Sequence, residues 1–243
     1  MVRHFPQRLA LCFSLCVGVS VYAAEQEPRL LASKSIQARL LLPAPPSVGS
    51  DESKAEIDEM LAIQAMRTDA QVKRFHSQER LGIGTFQGAM PDWWRPDDFP
   101  KLNKLFRSVA KEASEPIDSA KQDFKRARPE REDSRIQPLA HFSDFSYPSG
   151  HAARGLLYAK ILAEVAPDRA DALRELGREI GWNRVIGGVH HPSDISAGRV
   201  LGLAIAAALL KNPDFKVQLE EAQQEYEAAK KSHAESAAPV LVH

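Results

Sequence analysis

From Ser50 to about residue 233 the apolar residues recur every three or four positions, and no stretch alternates convincingly at period two. A chain patterned in this way buries its hydrophobic side chains as packed helices, so the expected fold class is all α, a compact multi-helix bundle. Ser50 opens the first pattern, with Asp51 and Glu52 in its first turn where the helix dipole favours acids, and Ile57, Met60, Leu61 and Ala65 on one side. Leu102, Leu105, Phe106, Val109 and Ala113 fit a further helix. Ile117, Ala120 and Phe124 fit another, expected to stop near Arg128 because Pro129 disfavours helix before it. More helices are expected at about 149–165, 168–182, 193–211 and 214–233. Between them the prolines and glycines of 40–50 and 82–100 and the polar run 129–148 read as loops, and a structured loop such as 82–100, with Trp93 and Trp94, either shapes a pocket or caps the core. There is no internal repeat.

The start of the chain follows a different rule. Arg3 and Arg8 precede an apolar run from Leu9 to Val21, and small residues follow to Ala24. That order reads as a secretory signal cleaved after Ala23 or Ala24, since the run is shorter than the roughly 18–20 residues that span a bilayer. The expected division is a signal at 1–24, an extended lead at 25–50, a helical domain at 51–234 and a tail at 235–243. Both cysteines, Cys12 and Cys16, fall within the signal, so the exported chain would have no disulfide and no thiolate metal ligand. Cleavage takes Arg3 and Arg8 from 32 basic residues and nothing from 32 acidic ones, leaving a formal charge of −2. That balance offers no electrostatic attraction to nucleic acid. The later apolar run from Val200 to Leu210 is short and reads as a core helix, so no membrane insertion is expected after cleavage.

Three clusters carry chemistry. In the first, Lys121 and Arg128 are seven residues apart, which on a helix is two turns and one face. By itself, among Lys125, Arg126 and Arg131, this spacing fits a solvated basic face better than a site. In the second, Pro148-Ser149-Gly150-His151 precedes an apolar helical pattern, so Ser149 reads as an N-cap and the NH groups of Gly150 and His151 lie at a helix start suited to an anion. In the third, Arg184 can hold two phosphate oxygens, Gly187 and Gly188 allow a close backbone, and Asp194 either caps the next helix or accepts a hydrogen bond from an imidazole.

In this order and spacing the clusters resemble the signature of the type 2 phosphatidic acid phosphatase superfamily: Lys, six residues, Arg-Pro; Pro-Ser-Gly-His; Ser-Arg, five residues, His, three residues, Asp. The matching positions here are Lys121, Arg128-Pro129, Pro148 to His151, Arg184, His190 and Asp194, within 121–199, about a third of the chain. The chain resembles most the soluble bacterial class A, non-specific acid phosphatases. One position departs: Asn183 stands where the family has serine, which bears on substrate preference. His191 has no place in the signature and is expected at the pocket rim or as a residue that simply precedes Pro192.

The resemblance implies a bundle of the acid phosphatase and vanadium haloperoxidase type and an exported, periplasmic or secreted enzyme hydrolysing small phosphate monoesters. His190, oriented by Asp194, would attack phosphorus and form a phosphohistidine. A protonated His151 would serve the leaving alcohol and then activate water. Lys121, Arg128, Ser149, Gly150 and Arg184 would hold the phosphoryl oxygens. No metal or other cofactor is implied, and vanadate is expected as an inhibitor. The alternatives are a haloperoxidase that carries vanadate as cofactor and, from another class, a non-catalytic periplasmic phosphate- or metal-binding protein. Trp93, Trp94, Phe142, Phe145 and Tyr147 either stack on a leaving group or fill the core, chiefly the core. An exposed apolar face on the last helices would point to a homo-oligomer.

Overall fold

The computed structural model describes residues 29–32 and 34–237, so the expected signal at 1–24, and parts of the lead and tail, lie outside the described residues. Within them the chain is all α, with no strand. The helices are α1 (Ala38–Leu41), α2 (Asp51–Ala65), α3 (Asp69–Ser77), α4 (Pro100–Phe124), α5 (Pro129–Glu132), α6 (Gly150–Val165), α7 (Ala170–Ile186), α8 (Pro192–Leu209) and α9 (Pro213–Ala237).

The apolar α6 is the hub. Residues on all sides of it are buried, from Ala152 through Leu156, Leu157, Ile161 and Leu162 to Val165, which is the pattern of a helix enclosed by others. It packs against α7 and α8, and glycines allow the approach. A Cβ at Gly155 would stand 2.7 Å from the Gly177 carbonyl oxygen, and one at Gly202 would stand 2.1 Å from that of Ala153. No side chain fits such a crossing without moving a backbone. The starts of α6 and α8 are also tied directly, the Ser149 NH donating to the Asp194 carbonyl at 3.0 Å. These two helix starts position the site.

α4 forms one helix where the sequence suggested two. Pro116 lies inside it, yet Leu102, Leu105, Phe106, Val109, Ala113, Ile117 and Ala120 continue as one buried face through the proline. Burying that stripe, at about 1.5–3 kcal/mol per large side chain, outweighs the cost of about 3 kcal/mol for an internal proline. The helix ends at Phe124, where Lys125 takes a left-handed φ of 50°. Arg128 is therefore off the helix, in extended backbone at the start of α5, and not in a final helical turn two turns from Lys121.

The segment 82–100 contains two 3-10 turns, Ile83–Ala89 and Pro96–Asp98. Its side chains serve the core: Phe86 and Trp94 are fully buried, and Ile83, Ala89, Met90 and Phe99 join the same cluster. Among the described residues, α8 is long and apolar enough to cross a membrane by length and composition, and half of it is buried within the fold.

Candidate active site

A cavity of about 150 Å³ opens between the end of α4, the start of α6 and the end of α7, lined among others by Lys121, Arg128, Gly150, His151, Arg184 and His190. Six of the eight residues expected from sequence thus share one wall space. Ser149 and Asp194 stand behind it. Larger cavities elsewhere hold none of these groups.

Each group is placed by local chain chemistry. Ser149 caps α6, its hydroxyl oxygen accepting from the Ala152 NH at 3.3 Å, so Gly150 and His151, which line the cavity, open the helix with first-turn NH groups that have no carbonyl of their own helix to meet. Arg184, on the last turn of α7, is fully buried, stacks 3.9 Å over the Phe75 ring and donates through Nη2 to the Phe75 carbonyl at 2.7 Å. Its Nε and Nη1 have no hydrogen-bond partner among the described residues. A buried guanidinium with two unanswered donors is costly unless an anion meets it. Burial pulls its pKa down to about 10.

Lys121 donates to the Phe145 carbonyl and lies 2.9 Å from Asp144 Oδ2. Arg128 donates through Nη1 to the Val189 carbonyl at 2.7 Å, pairs through Nη2 with Asp144 Oδ1 at 2.5 Å, and lies over the Phe142 ring at 4.8 Å. The same Nη1 is 3.1 Å from His190 Nε2. On the other side of that ring, His190 Nδ1 is 3.3 Å from Asp194 Oδ2. With Nδ1–H donating to the carboxylate, Nε2 keeps its lone pair and aims it toward the cavity side, where Arg128 donates to it. Burial, with Arg128 and Lys121 nearby, pushes the His190 pKa down to about 3, so the ring is neutral.

Asp194 is the centre of the buried scaffold. It is fully buried, and Oδ2 also accepts from the Ser146 hydroxyl, from the His191 NH at 2.9 Å and from His191 Nδ1 at 3.2 Å, while Oδ1 accepts from Arg126 at 2.8 Å. It both caps α8 and orients an imidazole, the two roles the sequence left as alternatives. Burial favours the neutral acid, but the hydrogen bonds from His190 and His191 win and hold its pKa well below the ordinary value. Arg126 completes the cluster, donating to Ser193 Oγ at 2.7 Å and to Glu56 at 2.7 Å on α2, with Glu132 of α5 at 3.7 Å.

Arg126 and His191 lie elsewhere than their sequence context suggests. Arg126 is not part of a solvated basic face: the left-handed turn at Lys125 directs the chain inward, and Arg126 is 5% exposed. His191 does not line the rim; it is fully buried, held between Asp194 and Glu132 Oε2 at 3.4 Å. Burial opposes its charge, yet those two carboxylates raise its pKa. Sequence gave no separate signal for Ser146, Asp144 or Glu132, whereas His191 could have been read as the N-cap whose NH meets an acid three residues on. Of the aromatic candidates, Phe142 lines the cavity, while Trp94 and Tyr147 are buried, and nothing from 82–100 reaches it.

His151 also differs from expectation in charge. Its Nε2 lies 3.1 Å from the Glu79 carbonyl, so that nitrogen carries the proton and Nδ1 is the basic one. Burial and Arg184 pull its pKa down from 6.5 to about 4, so in the free site it is neutral at pH 7. A bound dianion would raise it. The unfolded chain binds the proton from pH 6.5 downward and the folded chain only near 4, so stability is lost as pH falls through that window. The thermal midpoint without phosphate should drop between pH 6.5 and 4, and His151→Gln should flatten the drop; parallel curves for the two proteins would refute the assignment.

Residues 109–217 match the family model described as the PAP2 superfamily. The chain carries a PAP2 superfamily domain. Over 250 residues it is 29% identical to the non-specific acid phosphatase of Providencia stuartii, covering 90% of this chain and 97% of that one. It is 34% identical over 140 residues to an acid phosphatase of Zymomonas mobilis, covering 55% and 52%. The fold is similar to a transmembrane PAP2-type phosphatidylglycerolphosphate phosphatase from Bacillus subtilis, at a TM-score of 0.50 and 18% identity, covering 70% of this chain and 90% of that one. Within the PAP2 domain, Asn183 faces away from the cavity: its amide donates to Gln78 at 2.8 Å and Glu179 at 3.2 Å, joining α3 to α7. The departure from serine therefore alters the frame behind Arg184 and not the cavity wall.

Proposed function

We propose that the protein is an exported, metal-independent acid phosphatase that hydrolyses phosphate monoesters through a phosphohistidine on His190. The observation that carries this reading is Arg184, buried beside Lys121 and Arg128 with two donors unanswered, in the same small cavity as the lone pair of His190. The relatives named acid phosphatases support the same class, a phosphoric monoester hydrolase.

The ester's phosphoryl oxygens bind Arg184, Lys121, Arg128 and the NH groups at the start of α6. His190 Nε2 attacks phosphorus as the P–O bond to the alcohol breaks, and Asp194 stabilises the charge that develops on the ring. His151, protonated once the dianion is bound, gives its proton to the leaving oxygen. It then takes a proton from the water that attacks phosphorus as the P–Nε2 bond breaks, which frees the His190 ring and inorganic phosphate. The apolar run before Ala24 supports export to the periplasm or medium. For α8 a core helix is the better reading than a span, because Asp194 and its ionic partners are buried at its first turn.

The test is hydrolysis of an aryl phosphate by the mature protein with EDTA present, followed by rapid acid-free denaturation to trap the intermediate. Turnover should persist in chelator, vanadate should inhibit competitively, and phosphate should be recovered on His190 as an acid-labile, alkali-stable adduct. Activity that vanishes with EDTA and returns with a divalent cation would overturn the reading.

A further inference from the structure

One group in the cavity has the wrong sign for phosphate. Asp144 lies on the segment between α5 and α6, outside any helix, and its carboxylate is matched oxygen for oxygen to two phosphate-binding cations: Oδ1 to Arg128 Nη2 at 2.5 Å and Oδ2 to Lys121 Nζ at 2.9 Å. This is how two phosphoryl oxygens would be held. We propose that Asp144 is a built-in competitor of the phosphoryl group, which must leave Lys121 and Arg128 before a phosphate dianion is fully bound and whose return helps expel inorganic phosphate. The inference rests on the phosphatase reading and adds what governs the site's affinity for its substrate and product.

Three observations set this role apart from simple support. First, the cations do not depend on Asp144 for their positions: Lys121 also donates to the Phe145 carbonyl, and Arg128 to the Val189 carbonyl and against the Phe142 ring. Second, the Asp144 side chain is 50% exposed while Arg128 and Lys121 are 3% and 7% exposed, so the carboxylate can move into water, whereas the two buried cations need an anion in its place, which an arriving phosphoryl group supplies. The backbone stays hinged, because Arg128 Nε also donates to the Asp144 carbonyl at 3.2 Å. Third, Arg184 lines the same cavity with its two free donors and no contact to Asp144. An incoming dianion thus has a first foothold before it competes for the other two cations.

If the carboxylate occupies the cations most of the time, the observed affinity is the intrinsic one reduced by the fraction of open site; occupancy of about nine-tenths weakens binding about tenfold. Asp144→Asn keeps the shape and removes the charge. Titration with inorganic phosphate by calorimetry, and its Ki against aryl phosphate hydrolysis, should both show binding tightened by roughly tenfold or more. KM should fall in parallel, while kcat does not rise, because product release slows. Asp144→Ser, which can neither pair nor bridge, should move in the same direction. Weaker or unchanged phosphate binding in both variants would mean that Asp144 only positions the cations, and the proposal would be wrong. A wild-type protein that neither binds phosphate nor hydrolyses the ester would instead sink the phosphatase reading itself.

Discussion

His190→Ala should lower kcat for an aryl phosphate by about ten-thousand-fold or more, with circular dichroism and gel-filtration behaviour unchanged. The magnitude follows from what is lost. The variant has no nitrogen to form the covalent intermediate, whereas Lys121, Arg128 and Arg184 remain, so phosphate should still bind. Arg128 Nη1 loses the Nε2 it touches at 3.1 Å but keeps the Val189 carbonyl at 2.7 Å, so no buried cation is stranded. Retained phosphate affinity with vanished turnover is the expected pair of results. A variant with near wild-type kcat would remove His190 from the chemistry, and the same replacement at His191 is the necessary comparison. Because His191 is buried between Asp194 and Glu132, its loss should lower stability and turnover together without abolishing either.

The largest effect on stability is expected at Arg126. Arg126→Met keeps much of the side-chain volume and removes the charge facing Asp194, Glu56 and Glu132, leaving carboxylates in a site whose Asp194 is fully buried. Breaking a buried ion pair from one side costs about 3–5 kcal/mol, because the abandoned charge keeps its desolvation penalty. Urea unfolding should show a loss in that range, and kcat should fall as Asp194 loses the partner that fixes its second oxygen. Lys125→Met, one residue earlier on an exposed side chain, should change stability by no more than about 0.5 kcal/mol. Equal effects at the two positions would refute the buried network.

The contrast between Lys125 and Arg126 also shows what a sequence can disclose. Parts of two clusters were legible because they are close in the chain, a cap three residues from its partner NH and an imidazole four residues from its carboxylate, whereas Lys121 and Arg128 by themselves read as a solvated face and were singled out only by the resemblance to the family signature. The all-α class was legible because periodicity is local too. Arg126 was not, since nothing in Lys125-Arg126 says which cation turns inward; that is decided by a single left-handed residue after Phe124. Nor was the unity of α4, where the apolar stripe had to be weighed against Pro116. Asp144 and Glu132 gained their roles only when α4, α5 and α8 met, contacts separated by tens of residues or more.

The close crossing of α6 with α7 and α8 has a consequence for how such a protein diversifies. His151, Arg184 and Asp194 are fixed to helices that meet at glycines, where a single added methyl would collide with backbone. Inheritable change is therefore nearly closed to that half of the site. Phe142 and Asp144, by contrast, come from the segment between α5 and α6, where no close helix crossing limits the size of a side chain. New substrate preferences should arise by redrafting that segment, with the reaction itself handed down intact.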